Sequence, residues 1–216
     1  MIKLIIFDLD GTLIDTSTGL NVCMNEALKK LGLPQISQDE TKRFVGNGIK
    51  KYCERAIKLN DAKLSDECFS LFMHYYRQGW KIGCDLYDGM DTTLETLKNA
   101  DIKLAILSNK AQEMTLKFYN EFLKDYSFDY VLGNINGAPL KPDPYGAEKI
   151  LETLNVKKQY ALLTGDGETD VLTAKNAAIS SLSALWGFRS QAELQIAGAT
   201  VFVEKPIEIL KYALND

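Results

Sequence analysis

The chain has 216 residues, 46% hydrophobic and 25% charged, with a net charge of −4 at pH 7. That balance describes an ordinary globular protein of one large or two small domains, burying roughly 70% or more of its unfolded surface. Acids and bases are mixed along the chain, which excludes the basic face that nucleic acid needs, and no apolar run nears the roughly 18 residues of a membrane span.

The first apolar run, Lys3–Phe7, reads as a buried strand. It ends in Asp8-Leu9-Asp10-Gly11-Thr12, two carboxylates two residues apart followed by a glycine and a hydroxyl. At average residue usage that pattern arises by chance in roughly a few chains in a thousand of this length. Asp8 also ends the run too early for a secretion signal, so a cytoplasmic protein is expected. From Asp15 to about Gly83 the pattern is helical. Leu20, Met24, Ala27, Leu28 and Leu31 recur at helical spacing until Gly32 and Pro34 stop them. Ser37 and Glu40 form a capping-box pattern, a third helix spans Ile49 to Lys58, and Ser65 is expected to cap a fourth through Phe69, Phe72, Tyr76 and Trp80.

After about Asp91, short apolar runs at Ile102–Leu107, Tyr130–Leu132, Tyr160–Leu163, Ser180–Leu185 and Thr200–Val203 alternate with helical patterns. The expectation is an α/β fold, a doubly wound parallel (Rossmann-like) sheet with an inserted α-helical domain. Residues 1–14 and 85–216 would form the core and 15–84 the insert. Cys23, Cys53, Cys68 and Cys84 form no CxxC pair, which argues against zinc or a disulfide framework. His74, the only histidine, lies among aromatic residues and reads as a packing or surface residue.

In an open parallel sheet, ligands sit beyond the carboxyl ends of the strands. There this chain places Asp8 and Asp10, then Ser108, Asn109 and Lys110, then Thr164 to Asp170 with Asp166 among them. A proline-rich loop, Gly137–Pro144, presents Lys141 just before a helix that Asp143 can cap and Pro144 can open. Clustered aspartates need a cation, and few hard oxygen ligands with room for water and phosphate select Mg2+. A lysine and a small hydroxyl beside them would hold phosphate oxygens, a set suited to phosphoryl transfer.

With these four motifs in this order, essentially the whole chain resembles the haloacid dehalogenase superfamily, in its phosphatase branch with a helical cap. The resemblance implies that Asp8 is the nucleophile, forming an aspartyl-phosphate, and that Asp10 is the general acid and base. It implies that Ser108, Asn109 and Lys141 bind phosphate and that Asp8, the main-chain carbonyl of Asp10, and Asp166 hold the metal. Asp170 is either part of the metal shell, an orienter of the lysine, or a carboxylate favouring a helix start. Lys110 reads equally as a site residue and as a solvated lysine opening the next helix. Gly167 replaces a hydroxyl residue common in the family.

Phe44-Val45-Gly46-Asn47-Gly48 and Trp186-Gly187-Phe188-Arg189 are similar to segments of phosphoglycolate phosphatases. Gly46 and Asn47 are therefore candidate substrate contacts, although Gly46–Gly48 also suits a plain turn between helices. The implied reaction is hydrolysis of a small soluble phosphate ester, with no nucleic-acid or membrane partner. A phosphosugar mutase and a pyrophosphatase or nucleotidase of the same fold are the alternatives. Dehalogenation is disfavoured by Asp10, and a catalytically silent binding module by the complete acidic set. Monomer and homodimer both stay open.

Overall fold

The computed structural model describes residues 1–214. From the N-terminus the elements run β1 (Leu4–Phe7), β2 (Ile14–Asp15), α1 (Ser17–Lys30), α2 (Gln38–Phe44), α3 (Ile49–Ile57), α4 (Ala62–Gly79), β3 (Asp85–Leu86) and α5 (Met90–Asn99). They continue with β4 (Lys103–Ala111), α6 (Gln112–Phe118), β5 (Tyr130–Asn134), α7 (Tyr145–Leu154), β6 (Ala161–Gly165), α8 (Glu168–Ala177), β7 (Ser180–Ala184), α9 (Gln191–Ala197), β8 (Phe202–Val203) and α10 (Ile209–Leu214). The chain divides into two compact units, one formed by Met1–Ile14 with everything from Leu86 onward, the other by Asp15–Asp85.

The first unit is built on a six-stranded sheet in the order β5-β4-β1-β6-β7-β8. Every neighbouring pair is parallel, as expected of a doubly wound α/β sheet. Leu4 and Ile6 point to one face, against Ala147, Ile150 and Leu151 of α7 and Ala174 and Ala177 of α8. Ile5 and Phe7 point to the other and are equally buried. Burial on both faces is why the strand is a continuous apolar run rather than an alternation. The order also explains the site's location. After β1 the chain extends the sheet on one side through β4 and β5, then on the other through β6, β7 and β8, so the switch point lies at the carboxyl end of β1.

One strand differs from its sequence pattern. β4 does not stop at Leu107 but continues to Ala111, with its register against β5 shifting between those two residues. The extension carries Ser108, Asn109 and Lys110, polar residues that are nonetheless buried. Periodicity cannot detect a strand that continues through residues whose partners are polar. Helix α6 is likewise shorter than its apolar pattern, giving way to a π-type turn at Tyr119–Leu123.

The second unit consists of α1–α4. Leu20, Met24, Ala27 and Leu28 bury one stripe of α1, and Lys29 and Lys30 favour the negative end of its dipole. At α2, Ser37 Oγ accepts from the Glu40 amide at 3.1 Å while the Glu40 carboxylate accepts from the Ser37 amide at 2.9 Å, completing the capping box. Phe72 lies at the centre, edge-on to Tyr52 with ring centroids 5.7 Å apart and stacked on Tyr76 at 5.0 Å. Cys23, Cys53 and Cys68 are free and buried, and burial pushes the Cys23 thiol up to about 11, so it packs as a neutral side chain. His74 is exposed beside Tyr75.

The expected cap of α4 was one turn misplaced. Asp61, not Ser65, precedes the helix and accepts the Leu64 amide at 3.0 Å, while Ser65 lies inside. Both residue types cap well, and the aspartate comes first. Accordingly, Asp61→Ala should lower the unfolding free energy by about 1 kcal/mol in urea titrations. Ser65→Ala should leave it unchanged or slightly raised, because alanine is the better helix former.

Candidate active site

The register of the central strands brings remote residues to one point. Phe7 pairs with Ile106 on one side and Thr164 on the other, so Asp8, Ser108 and Asp166 all emerge just past the same level of the sheet. The Asp8 amide donates to the Thr164 carbonyl at 2.9 Å, tying that segment to β6. The chain then folds back tightly, with the amides of Leu13 and Ile14 both donating to the Leu9 carbonyl. Gly11 makes this turn at φ +87°, and a Cβ there would lie 2.3 Å from an Asp166 oxygen, so both conformation and space demand glycine.

Asp8, Asp166 and Asp170 offer carboxylate oxygens within 4.8 Å of one another. Into this cluster projects Lys141, whose Nζ lies 2.8 Å from Asp8 Oδ1 and 2.6 Å from Asp170 Oδ1. Asp170 is in the first turn of α8 and its second oxygen accepts the Gly167 amide at 3.0 Å, so it both orients the lysine and caps the helix. Lys141 is itself held by Asn109. The Asn109 Nδ2 donates to the Lys141 carbonyl at 3.0 Å and its Oδ1 accepts the Lys141 amide at 2.8 Å. Asn109 thus grips the lysine's main chain. At the next helix, Asp143 accepts the Tyr145 amide at 2.9 Å while Pro144 occupies the capping position, one residue before the expected place.

Asp166 lies in a cradle of donors. Thr12 Oγ1 donates to one of its oxygens at 2.8 Å and the Phe188 amide to the other at 2.7 Å. Trp186 Nε1 donates to the Thr12 carbonyl at 3.0 Å, linking the two sides. At Gly187 a Cβ would stand 2.2 Å from the Asp166 Cβ, so only glycine lets this loop approach. Arg189 pairs with Glu168 at 2.8 Å. Thr12 and the 186–189 loop stand out in sequence only as members of motifs; their grip on Asp166 follows from folding.

Lys110 is a correction to one of its two readings. It neither opens a helix nor meets solvent. Its side chain is 2% exposed and its Nζ lies 2.7 Å from Asp10 Oδ1. Ser108 is also buried, and its Oγ accepts the Lys110 amide at 3.3 Å. Gly46 and Asn47 belong to the other unit, in the turn between α2 and α3, where Gly46 and Gly48 take φ of +114° and +86°. The Asn47 side-chain oxygen is enclosed without a hydrogen-bond partner among the described residues.

The electrostatics bear on what charge the cluster could accept. Burial pushes the Asp8 carboxyl up to about 8, with Asp170 and Asp166 adding to the rise and Lys141 opposing it. Burial and Asp170 raise Asp166 to about 7 against the donors from Phe188 and Thr12 and the charge of Arg189. Burial disfavours the Lys141 ammonium, but Asp170 and Asp8 outweigh it and hold the lysine charged. Three carboxyls against one ammonium lack positive charge, and hard oxygen donors fit a small divalent cation such as magnesium.

The sign of the pH dependence follows. In protein stripped of divalent cations, folded Asp8 keeps a proton up to about pH 8 that the unfolded chain loses near 3.8. The folded state binds more protons across that window, so this group's contribution to stability falls as pH rises through it. Urea titrations in EDTA should show Asp8→Asn gaining on the wild type from about pH 4 to about pH 8. A difference that shrinks over the window would contradict the burial of an unneutralised Asp8.

Comparison with known proteins agrees with this geometry. Residues 5–184 match the haloacid dehalogenase-like hydrolase family. The chain is 31% identical to a phosphoglycolate phosphatase of Vibrio parahaemolyticus over 221 residues, covering 97% of this chain and 95% of that one. It is 32% identical to the Aquifex aeolicus phosphoglycolate phosphatase, covering 86% of each. Among solved structures, a Lactobacillus delbrueckii protein superposes with a TM-score of 0.94 at 26% identity over 99% of each chain. A haloacid dehalogenase-like family hydrolase of Streptococcus pneumoniae gives 0.88 at 25% identity over 98% of each. The chain belongs to the haloacid dehalogenase-like hydrolases.

Proposed function

We propose that the protein is a magnesium-dependent phosphatase of a small phosphate ester, with 2-phosphoglycolate the leading substrate. The observation that carries this reading is Lys141 held between Asp8 and Asp170 beside Asp166, at the switch point of the sheet. The buried ammonium can hold phosphoryl oxygens, and the three carboxylates would hold the divalent cation that offsets the negative charge a phosphoryl group brings. The curated relatives named as phosphoglycolate phosphatases support the choice of ester.

In the proposed mechanism the Asp8 carboxylate attacks phosphorus as the bond to the ester oxygen breaks, leaving an aspartyl-phosphate. Asp10 gives its proton to the departing oxygen, then takes one from the water that hydrolyses the intermediate and restores Asp8. Lys141 and Ser108 hold the phosphoryl oxygens where charge builds. Asn109 serves them by fixing the Lys141 main chain, and Asp170 by aiming its ammonium. Asp8, the main-chain carbonyl of Asp10 and Asp166, with Asp170 behind them, would hold magnesium, whose charge neutralises the phosphoryl oxygens. Gly46 and Asn47 are the proposed contacts to the organic part of the ester. The expected setting is the cytoplasm; among the described residues no helix is long and apolar enough to cross a membrane.

Phosphate release with magnesium should single out 2-phosphoglycolate from a panel of sugar phosphates, nucleotides, pyrophosphate and aryl phosphates, and both Asp8→Asn and EDTA should abolish it. Weak turnover of every ester would keep the phosphatase and remove the substrate assignment. Thr12→Val, which strips one donor from Asp166, should raise the magnesium concentration for half-maximal activity by about 10-fold or more, as loss of a ligand's supporting bond does.

A further inference from the structure

Asp8 and Asp10 are two residues apart but occupy different electrostatic settings. Asp8 belongs to the acidic cluster, whereas the Asp10 carboxylate meets Lys110, 100 residues further along. Lys110 Nζ lies 2.7 Å from one Asp10 oxygen and 2.9 Å from the other, so a single ammonium spans the whole carboxylate. That ammonium also sits 4.4 Å from the centroid of the buried Phe118 ring, an arrangement that favours the cation. The lysine's main chain is fixed as well. Its amide donates to Ser108 Oγ at 3.3 Å, and Thr115 Oγ1 donates to its carbonyl at 3.1 Å. A cation so enclosed holds one geometry, unlike a surface lysine that samples many.

We propose that Lys110 is the positioning residue for Asp10: by bonding both of its oxygens it fixes the direction of that carboxylate. Without it the carboxylate loses the two contacts that fix its direction. Proton transfer to a leaving oxygen depends on hydrogen-bond reach, so a displaced Asp10 loses its effect. The inference rests on the reading of Asp10 as the group that protonates the leaving oxygen.

The test compares phenyl phosphate, whose leaving oxygen needs a proton, with 2,4-dinitrophenyl phosphate, whose leaving group departs without one. kcat/KM is measured for wild type, Lys110→Met, Asp10→Asn and the double variant; it excludes hydrolysis of the intermediate because leaving-group departure comes first. Lys110→Met should lose on the order of 100-fold on phenyl phosphate and less than about 5-fold on the dinitrophenyl ester. The double variant should fall no further than Asp10→Asn alone, since Lys110 acts through Asp10. Equal losses on both esters, or a double variant that adds the two single losses, would overturn the role of Lys110. If Asp10→Asn itself fails to distinguish the esters, the reading of Asp10 falls and the proposal with it. Should Lys110→Met alone not fold, the double variant, which leaves no unpaired charge, is compared with Asp10→Asn: equal values support the proposal and a further loss overturns it.

Discussion

Three carboxyl groups and one ammonium gathered in a buried space at the end of β1 are the constraint on which the site depends. Charge of one sign does not collect in a protein interior unless something compels it. Here the compulsion is covalent and topological. The parallel register fixes where the ends of β1 and β6 lie, and Asp8 and Asp166 follow those ends without choice. The sheet's apolar core, buried on both faces, supplies the stability that such a cluster opposes.

The donors around the cluster reduce that opposition while fixing geometry. Thr12 and the Phe188 amide leave neither oxygen of Asp166 free to turn, and Asn109 does for the main chain of Lys141 what a neighbouring strand would do. These residues come from five separate stretches of chain, and most of the bonds involve main-chain atoms. Main-chain partners move less than side chains, so a site anchored by them holds its shape when ligand charge arrives.

Much of this was legible in the sequence, for a specific reason. Strands buried on both faces write themselves as apolar runs, and Asp8-Leu9-Asp10-Gly11-Thr12 ends the first of them visibly. What stayed hidden involved residues whose type says little about their setting. Lys110 has the composition of a surface lysine, and only the extension of β4 through buried polar residues carries it inward to Asp10. Ser65 and Asp61 both have capping chemistry, and the choice between them lies in where the backbone begins to turn. Trp186–Arg189 could be matched to relatives as a motif, yet its contact with Asp166 spans 22 residues and depends on a glycine whose missing side chain is the point.

The contrast between Asp8 and Asp10 draws these strands together. The two are the same residue type on one short turn, so the local chain cannot differentiate them. Their surroundings do. Asp8 faces two more carboxylates and a shared lysine, a setting that awaits positive charge; Asp10 meets the ammonium of Lys110, which lies against an aromatic ring. In the proposed mechanism the nucleophile Asp8 must approach an anionic phosphorus centre despite its own charge, which a cation shared among several acids makes feasible. The proposed acid and base, Asp10, must hand over a proton and recover it without leaving its place, which a contact that fixes its direction makes feasible. Pairs of like groups acquire different roles when their environments diverge in this way, and here the divergence is produced by two lysines, Lys110 and Lys141, arriving from different strands and loops at adjacent points of one turn.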